Sequence, residues 1–221
     1  MKKIFYCTLS VAFLAASVAS CAKSSKGKMA NDWKVTSYQE TEKDVYSNGD
    51  MSNSSTSMTE NSVTQTTEDT PNGGSTTTDT QTGTVSTNAL TIKKDGTWTW
   101  TMNYTITENQ GVTVINNYNS LRSGTWSFVG KTKGDDFKKN ERVMFNVLSE
   151  SGTNVQTVGN ITTTNTYSDT YMTGEYPMLF TVKESTGKSL ELEAKGANTS
   201  TNGGSSTSTY NSTLSIKLEQ K

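Results

Sequence analysis

Residues 90–106 read LTIKKDGTWTWTMNYTI and contain the clearest periodicity in the chain. From Trp98 to Ile106, apolar residues alternate with threonine and asparagine. A period of two predicts a β-strand with one buried face and one solvated face. This strand decides the fold, because it places two of the four tryptophans on one face.

The turn before this strand predicts a register. Cross-strand partners lie on the same face of a sheet, so we expect Ile92 opposite Trp98 and Leu90 opposite Trp100. That register requires a three-residue loop, which is Lys94-Asp95-Gly96. Such loops favour a left-handed last residue, where glycine has no Cβ penalty.

A later loop, Ser185-Thr186-Gly187, has the same form. It predicts a second hairpin, with Val182 opposite Leu190 and Phe180 opposite Leu192. The same alternation continues on both sides of the loop, so this hairpin is expected to bury its apolar face as well.

Two polar segments interrupt the apolar pattern. Residues 51–88 are either a disordered linker or a long polar hairpin around Pro71-Asn72-Gly73-Gly74. Threonine favours strands and the turn is central, which favours the hairpin. Residues 196–213 repeat the pattern, with a turn predicted at residues 202–204.

Two other glycines, each preceded by a serine, are interpreted differently from each other. Ser123-Gly124 is interpreted as a bulge within a strand, whereas Ser151-Gly152 is interpreted as a turn. About ten strands result, joined by hairpin turns. The predicted fold class is all-β: an antiparallel up-and-down meander that closes into a barrel, with long polar hairpins. An even strand number lets the first and last strands pair antiparallel.

The composition limits the function. The 221 residues contain no histidine, which removes the commonest general base and most zinc sites. An acidic pair at residues 135–136 lacks the spaced ligands of a calcium loop. The net charge of −1 and the absence of a basic patch argue against nucleic-acid binding. We therefore expect neither an enzyme, nor a cofactor, nor a metal site.

The N-terminal sequence predicts where the protein is located in the cell. Two lysines precede an apolar run at residues 4–19, which is typical of a signal peptide. The run ends in VASC, residues 18–21, which resembles the bacterial lipoprotein box. In proteins with that box the cysteine carries acyl chains such as palmitate, so Cys21 is the predicted lipidation site. The predicted organisation is a signal peptide at 1–20, a lipidated tether at 21–30 and a barrel domain at 31–221.

Several short motifs carry a resemblance to a family. They are the lipoprotein box, Trp33, and the segments LTIKKDGTW at 90–98, SGTWSF at 123–128 and LFTVKESTGKSLEL at 179–192. Together they resemble the lipocalin-like lipoproteins of bacteria. The resemblance implies a lipid-anchored β-barrel in the cell envelope, at the outer membrane, that binds a small hydrophobic ligand.

Two functions from different classes are open. In a ligand-binding barrel, the inner aromatic face would line the cavity through Trp98, Trp100, Tyr104, Trp126 and Phe128. The same residues would otherwise form a solid core. The alternative is a non-catalytic envelope module that contacts protein or glycan through its polar hairpins. Whether the interior is hollow or packed discriminates between the two.

Overall fold

The computed structural model describes residues 25–109, 111–130, 140–202 and 206–221. In these ranges the chain forms one short helix and eleven strands. The elements are α1 (Ser25–Met29), β1 (Asn31–Tyr46), β2 (Met51–Thr59), β3 (Ser62–Thr70), β4 (Thr77–Ile92), β5 (Thr97–Asn109), β6 (Thr113–Gly130), β7 (Glu141–Val158), β8 (Ile161–Thr170), β9 (Pro177–Ser185), β10 (Ser189–Asn202) and β11 (Ser206–Gln220). No helix in the described part of the chain is long and apolar enough to cross a membrane.

Ten of the strands close an antiparallel barrel, which confirms the predicted fold class. The ring runs from β1 to β7 and continues through β9, β10 and β11 back to β1. The remaining strand, β8, folds back on the second half of β7. The first and last strands pair antiparallel along nearly their whole length, as an even ring requires.

The barrel narrows towards one end, called here the lower end. There β1 also pairs directly with β4, from Asn31 opposite Ile92 to Lys34 opposite Ala89. The hairpin of β2 and β3 lies between β1 and β4 only above that point. Eight strands therefore enclose the lower end, a number whose interior side chains can fill.

The hydrophobic core fills this lower end and continues upward along β2 to β5 through Met58, Val63, Val85 and Ile106. Its largest fully buried side chains include Trp33, Trp98, Phe145 and Phe180. The short helix α1 brings Met29 into the same cluster. Each of the four indole N–H groups donates to an oxygen atom, as buried tryptophans generally require.

The first predicted register is confirmed. Ile92 lies opposite Trp98 and Leu90 lies opposite Trp100. Gly96 has a φ of 89°, in the left-handed region predicted for the last loop residue. All four apolar side chains of these pairs are buried.

The second predicted register is wrong. Leu192 pairs with Val182 instead of Phe180, and Leu190 pairs with Ser185 instead of Val182. Val182 and Leu192 nevertheless both remain buried. The face was therefore predicted correctly, although the partners were not.

Local hydrogen bonds explain the different register. The backbone N–H of Thr186 donates to Ser189 O at 2.8 Å, and Ser189 N–H donates back to Thr186 Oγ1 at 2.8 Å. These bonds close a four-residue loop without a positive φ at Gly187. Lys183 is then an unpaired extra residue in β9. This bulge allows Val182 to pair with Leu192.

Gly124 does not form a turn, as predicted, but the bulge beside it lies in the partner strand. Gly124 lies inside β6, and the register with β7 shifts after Ser123, where Leu148 is the extra residue. A Cβ atom built on Gly124 would lie 1.8 Å from Asn146 O. Glycine therefore permits the close approach of the two backbones.

The turn predicted at Ser151-Gly152 is wrong. The strand β7 continues to Val158 and turns at residues 159–160. Gly152 lies opposite Tyr167, and a Cβ atom there would lie 2.5 Å from the tyrosine ring. This glycine makes room for an aromatic side chain within a straight pair of strands.

The polar segments form ordered strands. The turn at residues 71–74 joins β3 to β4, as predicted, but a second turn at 60–61 separates β2 from β3. Strands β10 and β11 extend through residues 196–213 as far as the described residues reach. Residues 1–24, residue 110, residues 131–139 with the acidic pair at 135–136, and residues 203–205, where a turn was predicted, lie outside the described residues.

Candidate functional site

Above the packed lower end, part of the barrel interior is hollow. A cavity of about 220 Å³, called here the chamber, lies between β1 and strands β5 to β8. Its lining residues are Tyr38, Glu40, Trp100, Met102, Tyr104, Tyr118, Asn119, Ser120, Arg122, Glu150, Thr153, Asn154 and Tyr167. The lining is aromatic and polar, in contrast to the apolar lower end.

Strand alternation positions the lining. Trp100, Met102 and Tyr104 follow Trp98 at intervals of two along β5, so they share its inner face. On β6, Arg122 lies opposite Trp100 and therefore also points inward. The same periodicity that builds the core thus places charged residues inside the barrel above it.

An aromatic contact forms the floor of the chamber. The ring of Tyr38 meets Trp100 edge to face, with centroids 5.8 Å apart and an interplanar angle of 63°. Trp100 Nε1 donates to the Oδ1 atom of buried Asn88 at 2.8 Å. Both contacts fix the indole in one orientation.

An ion pair forms part of the wall. The Nε and Nη2 atoms of Arg122 each lie 2.8 Å from Glu150 Oε1. The two side chains are 31% and 12% exposed, so this pair is well shielded from solvent. Burial alone would lower the pKa of Arg122, but the Glu150 carboxylate outweighs burial and raises it. Arg122 therefore stays charged and its charge is balanced locally.

A second carboxylate in the chamber lacks such a partner. Glu40 Oε2 accepts a hydrogen bond from the Tyr38 hydroxyl at 2.5 Å. Burial, followed by the charge of Glu40, raises the pKa of Tyr38, so the phenol stays neutral and donates. Among the ion pairs formed within the described residues, none involves Glu40.

Two tyrosines stack against each other in the wall of the chamber. The rings of Tyr104 and Tyr118 stack with centroids 4.7 Å apart and an angle of 19° between them. Burial raises the pKa of Tyr104 to about 12. Its hydroxyl also receives a hydrogen bond of 3.4 Å from Gln65 Nε2. The two stacked tyrosines are thus uncharged at neutral pH, and both line the chamber.

The chamber also holds an unused acceptor. Asn154 Oδ1 is buried and has no hydrogen-bond partner among the described residues. Buried acceptors normally find a donor, so this oxygen is available to a group inside the chamber. Tyr167 lines the chamber and is 44% exposed, which marks where the chamber reaches the surface.

The five ligand-lining candidates do not lie together. Trp100 and Tyr104 line the chamber. Trp98 lies in the packed layer below, with its ring 5.3 Å from Phe145 in an edge contact. Near the lower end, Trp126 Nε1 donates to Lys93 O at 2.8 Å. Phe128 is half-buried against the same core.

Sequence reasoning missed the charged lining. Leu121, the apolar residue beside Arg122, is 44% exposed on the outer face, whereas Arg122 points inward. Counting back from Trp126 in steps of two would have found Arg122. Counting forward from buried Tyr38 would have found Glu40.

Other acidic groups serve the surface. Glu191 forms an ion pair with Lys217, and Glu193 forms ion pairs with Lys183 and Lys195. Within the described ranges, no group of three or more cysteine, aspartate or glutamate residues is arranged to hold a metal ion. The predicted lipidation site, Cys21, lies outside the described residues.

No protein-family model, no curated protein and no solved structure matches the chain.

Proposed function

We propose that this chain is a non-catalytic binding protein whose chamber holds one small molecule with an apolar ring and polar groups. The observation that carries the proposal is the hollow, aromatic and polar interior above a fully packed core. Ligand sites generally combine apolar walls with a few convergent polar groups. The chamber has both.

The size of the chamber suits a single-ring ligand. An apolar cavity of about 150 Å³ can bind benzene. The chamber, at about 220 Å³, leaves room for a ring and a short polar chain. The ring would lie against Tyr104 and Tyr118, and a donor group could reach Asn154 Oδ1.

The lining changes the ligand class expected from the sequence. A wholly hydrophobic ligand would remove water from Glu40 and Asn154 without replacing its hydrogen bonds, which is costly. A ligand with hydrogen-bond donors avoids that cost. The proposed ligand is therefore amphipathic instead of purely hydrophobic.

Native mass spectrometry of the purified protein tests this proposal. Ser120 lines the chamber, whereas Thr99 is on the outer face of β5. A small-molecule adduct on the wild type should disappear in Ser120→Phe, which fills the chamber, and should persist in Thr99→Phe. An adduct that persists in both variants would place the ligand elsewhere.

The proposal also includes the location of the protein in the cell. The signal sequence and the VASC box support lipidation at Cys21 and attachment to the outer membrane of a bacterial envelope. The segments at 90–98, 123–128 and 179–192 support membership of the lipocalin-like lipoproteins. In this arrangement the anchor keeps the ligand site at the membrane surface.

The β8 hairpin favours a second candidate function. All ten residues of β8 are exposed, and β7 is its only strand partner in the described part of the chain. An exposed, hydroxyl-rich strand with an unpaired edge is suited to contact a protein or a glycan. Changing Thr162 and Thr164 to lysine should then reduce co-purification of an envelope partner and leave the chamber adduct unchanged.

A further inference from the structure

The charges that face the barrel interior are not balanced. Arg122 is the only cationic residue that lines the chamber in the described structure, and Glu150 neutralises it. Glu40 adds a negative charge to the same lining. Two residues further along β1, the Glu42 carboxylate accepts a hydrogen bond of 2.6 Å from the Tyr210 hydroxyl. The upper interior is therefore acidic.

From this imbalance we propose that the chamber selects a small organic cation, an amine with an attached ring, and that Glu40 is its counter-charge. This inference rests on the proposed function and names the ligand class of the same site. The ammonium group would bind the Glu40 carboxylate, while the ring lies against the Tyr104–Tyr118 stack. A charge-assisted hydrogen bond of this kind is stronger than a neutral one.

The aromatic lining suits the same ligand. Trp100 and Tyr38 meet at the floor, next to Glu40, and Tyr104 stands on the wall. Cations are attracted to the faces of tryptophan and tyrosine rings within about 6 Å. A cation in the chamber is therefore attracted both by the charge of the carboxylate and by the aromatic rings around it.

Anions and metal ions fit this lining less well. An anion would have to separate Arg122 from Glu150 and would lie near the charge of Glu40. Breaking a shielded ion pair leaves one charge uncompensated, which is strongly unfavourable. A hard metal ion needs six or more oxygen ligands. Among the described residues, no three or more acidic side chains are grouped so that they could hold one.

Three probes of similar shape test the charge preference. Phenethylamine is a cation at neutral pH, phenethyl alcohol is neutral and 3-phenylpropionate is an anion. Isothermal titration calorimetry with the full chain should show the cation binding at least about tenfold more tightly than the neutral probe, because it adds a charged hydrogen bond. The anion should bind most weakly.

A matched pair of variants tests the role of Glu40. Glu40→Gln keeps an acceptor for Tyr38 and should weaken phenethylamine binding by about ten- to a hundredfold. Glu191→Gln removes the same charge from the outer face of β10, away from the chamber lining, and should change binding by less than about threefold. Thermal melts of both variants verify that the fold is retained.

The outcomes separate the two proposals. Binding of the neutral or anionic probe as tightly as the cation, or an unchanged affinity in Glu40→Gln, overturns the cation inference and leaves a ligand chamber. Failure of all three probes to bind the wild type overturns the chamber proposal as well.

Discussion

Trp100 meets Tyr38 edge to face, with ring centroids 5.8 Å apart, and this contact lies between the packed lower end of the barrel and the chamber. Below it, Trp98 is 1% exposed and surrounded by core residues. Above it, the same strand face lines the chamber. Neighbouring inward residues on one strand therefore have different roles.

We expect Trp98→Ala and Trp100→Ala to differ in ligand binding but not in stability. Each should cost about 3–5 kcal/mol, because truncation of a buried tryptophan leaves a cavity. Only Trp100→Ala should change ligand binding, since Trp100 lines the chamber and Trp98 does not. Chemical denaturation and calorimetric titration of both variants measure the two effects.

A small effect of Trp100→Ala on stability would contradict this prediction. A melting temperature of Trp100→Ala within a few degrees of the wild type would correspond to about 1 kcal/mol or less. Such a value would show that the indole contributes little to packing, and its role would then be confined to the ligand site.

An ion pair inside the barrel can be compared with an ion pair on its outer surface. Arg122→Ala should destabilise the protein by about 2 kcal/mol or more, because it leaves the shielded Glu150 carboxylate without a partner. Lys34→Ala breaks the exposed pair with Glu60 and should cost about 1 kcal/mol or less. Urea unfolding curves measure both. Equal losses would show that the Arg122 pair is no better shielded than a surface pair.

Alkaline pH should destabilise the fold through its tyrosines. The pKa of Tyr104 is raised from 10.0 to about 12 in the folded state. The folded protein therefore holds the proton more tightly, so this contribution to stability is complete below pH 10 and is lost as the pH rises towards 12. Unfolding free energies measured across this window should fall with pH.

The variant Tyr104→Phe provides the control for this pH effect. It should make the decline shallower without abolishing it, because burial also raises the pKa of Tyr38 and Tyr210. A decline as steep as in the wild type would exclude Tyr104 as a contributor.

The lipid anchor makes a prediction about location. Cys21→Ala should move the protein from the membrane fraction to the soluble fraction, because the acyl chains would be its membrane attachment. Mass spectrometry of the wild type should show the added acyl mass. A variant that stays with the membrane, together with a wild type without acyl mass, would contradict the predicted address.

The sequence predicts the registers only where one residue determines the turn. Gly96, in the left-handed region, fixes the loop that places Ile92 opposite Trp98. At residues 186–189, side-chain hydrogen bonds of Thr186 close a different loop, and a bulge at Lys183 absorbs the difference. Nothing in the alternation distinguishes these two cases, because both registers bury the same face.

The chamber was less predictable than the fold. Its charged residues interrupt an apolar face, and isolated polar residues in a strand are normally assigned to the solvated side. Gly152 was interpreted as a turn because glycine is the commonest turn signal, but here it accommodates the ring of Tyr167. Both features depend on partners that are distant in sequence.

The closure between β1 and β11 also constrains how the chain folds. Trp33 lies opposite Gln220, so the first strand of the barrel pairs with the last. Contacts between such distant segments form late, because the intervening chain loses entropy when its ends meet. The hairpins form from local contacts, but the ring closes only when the final strand arrives, which makes this a slow-folding topology.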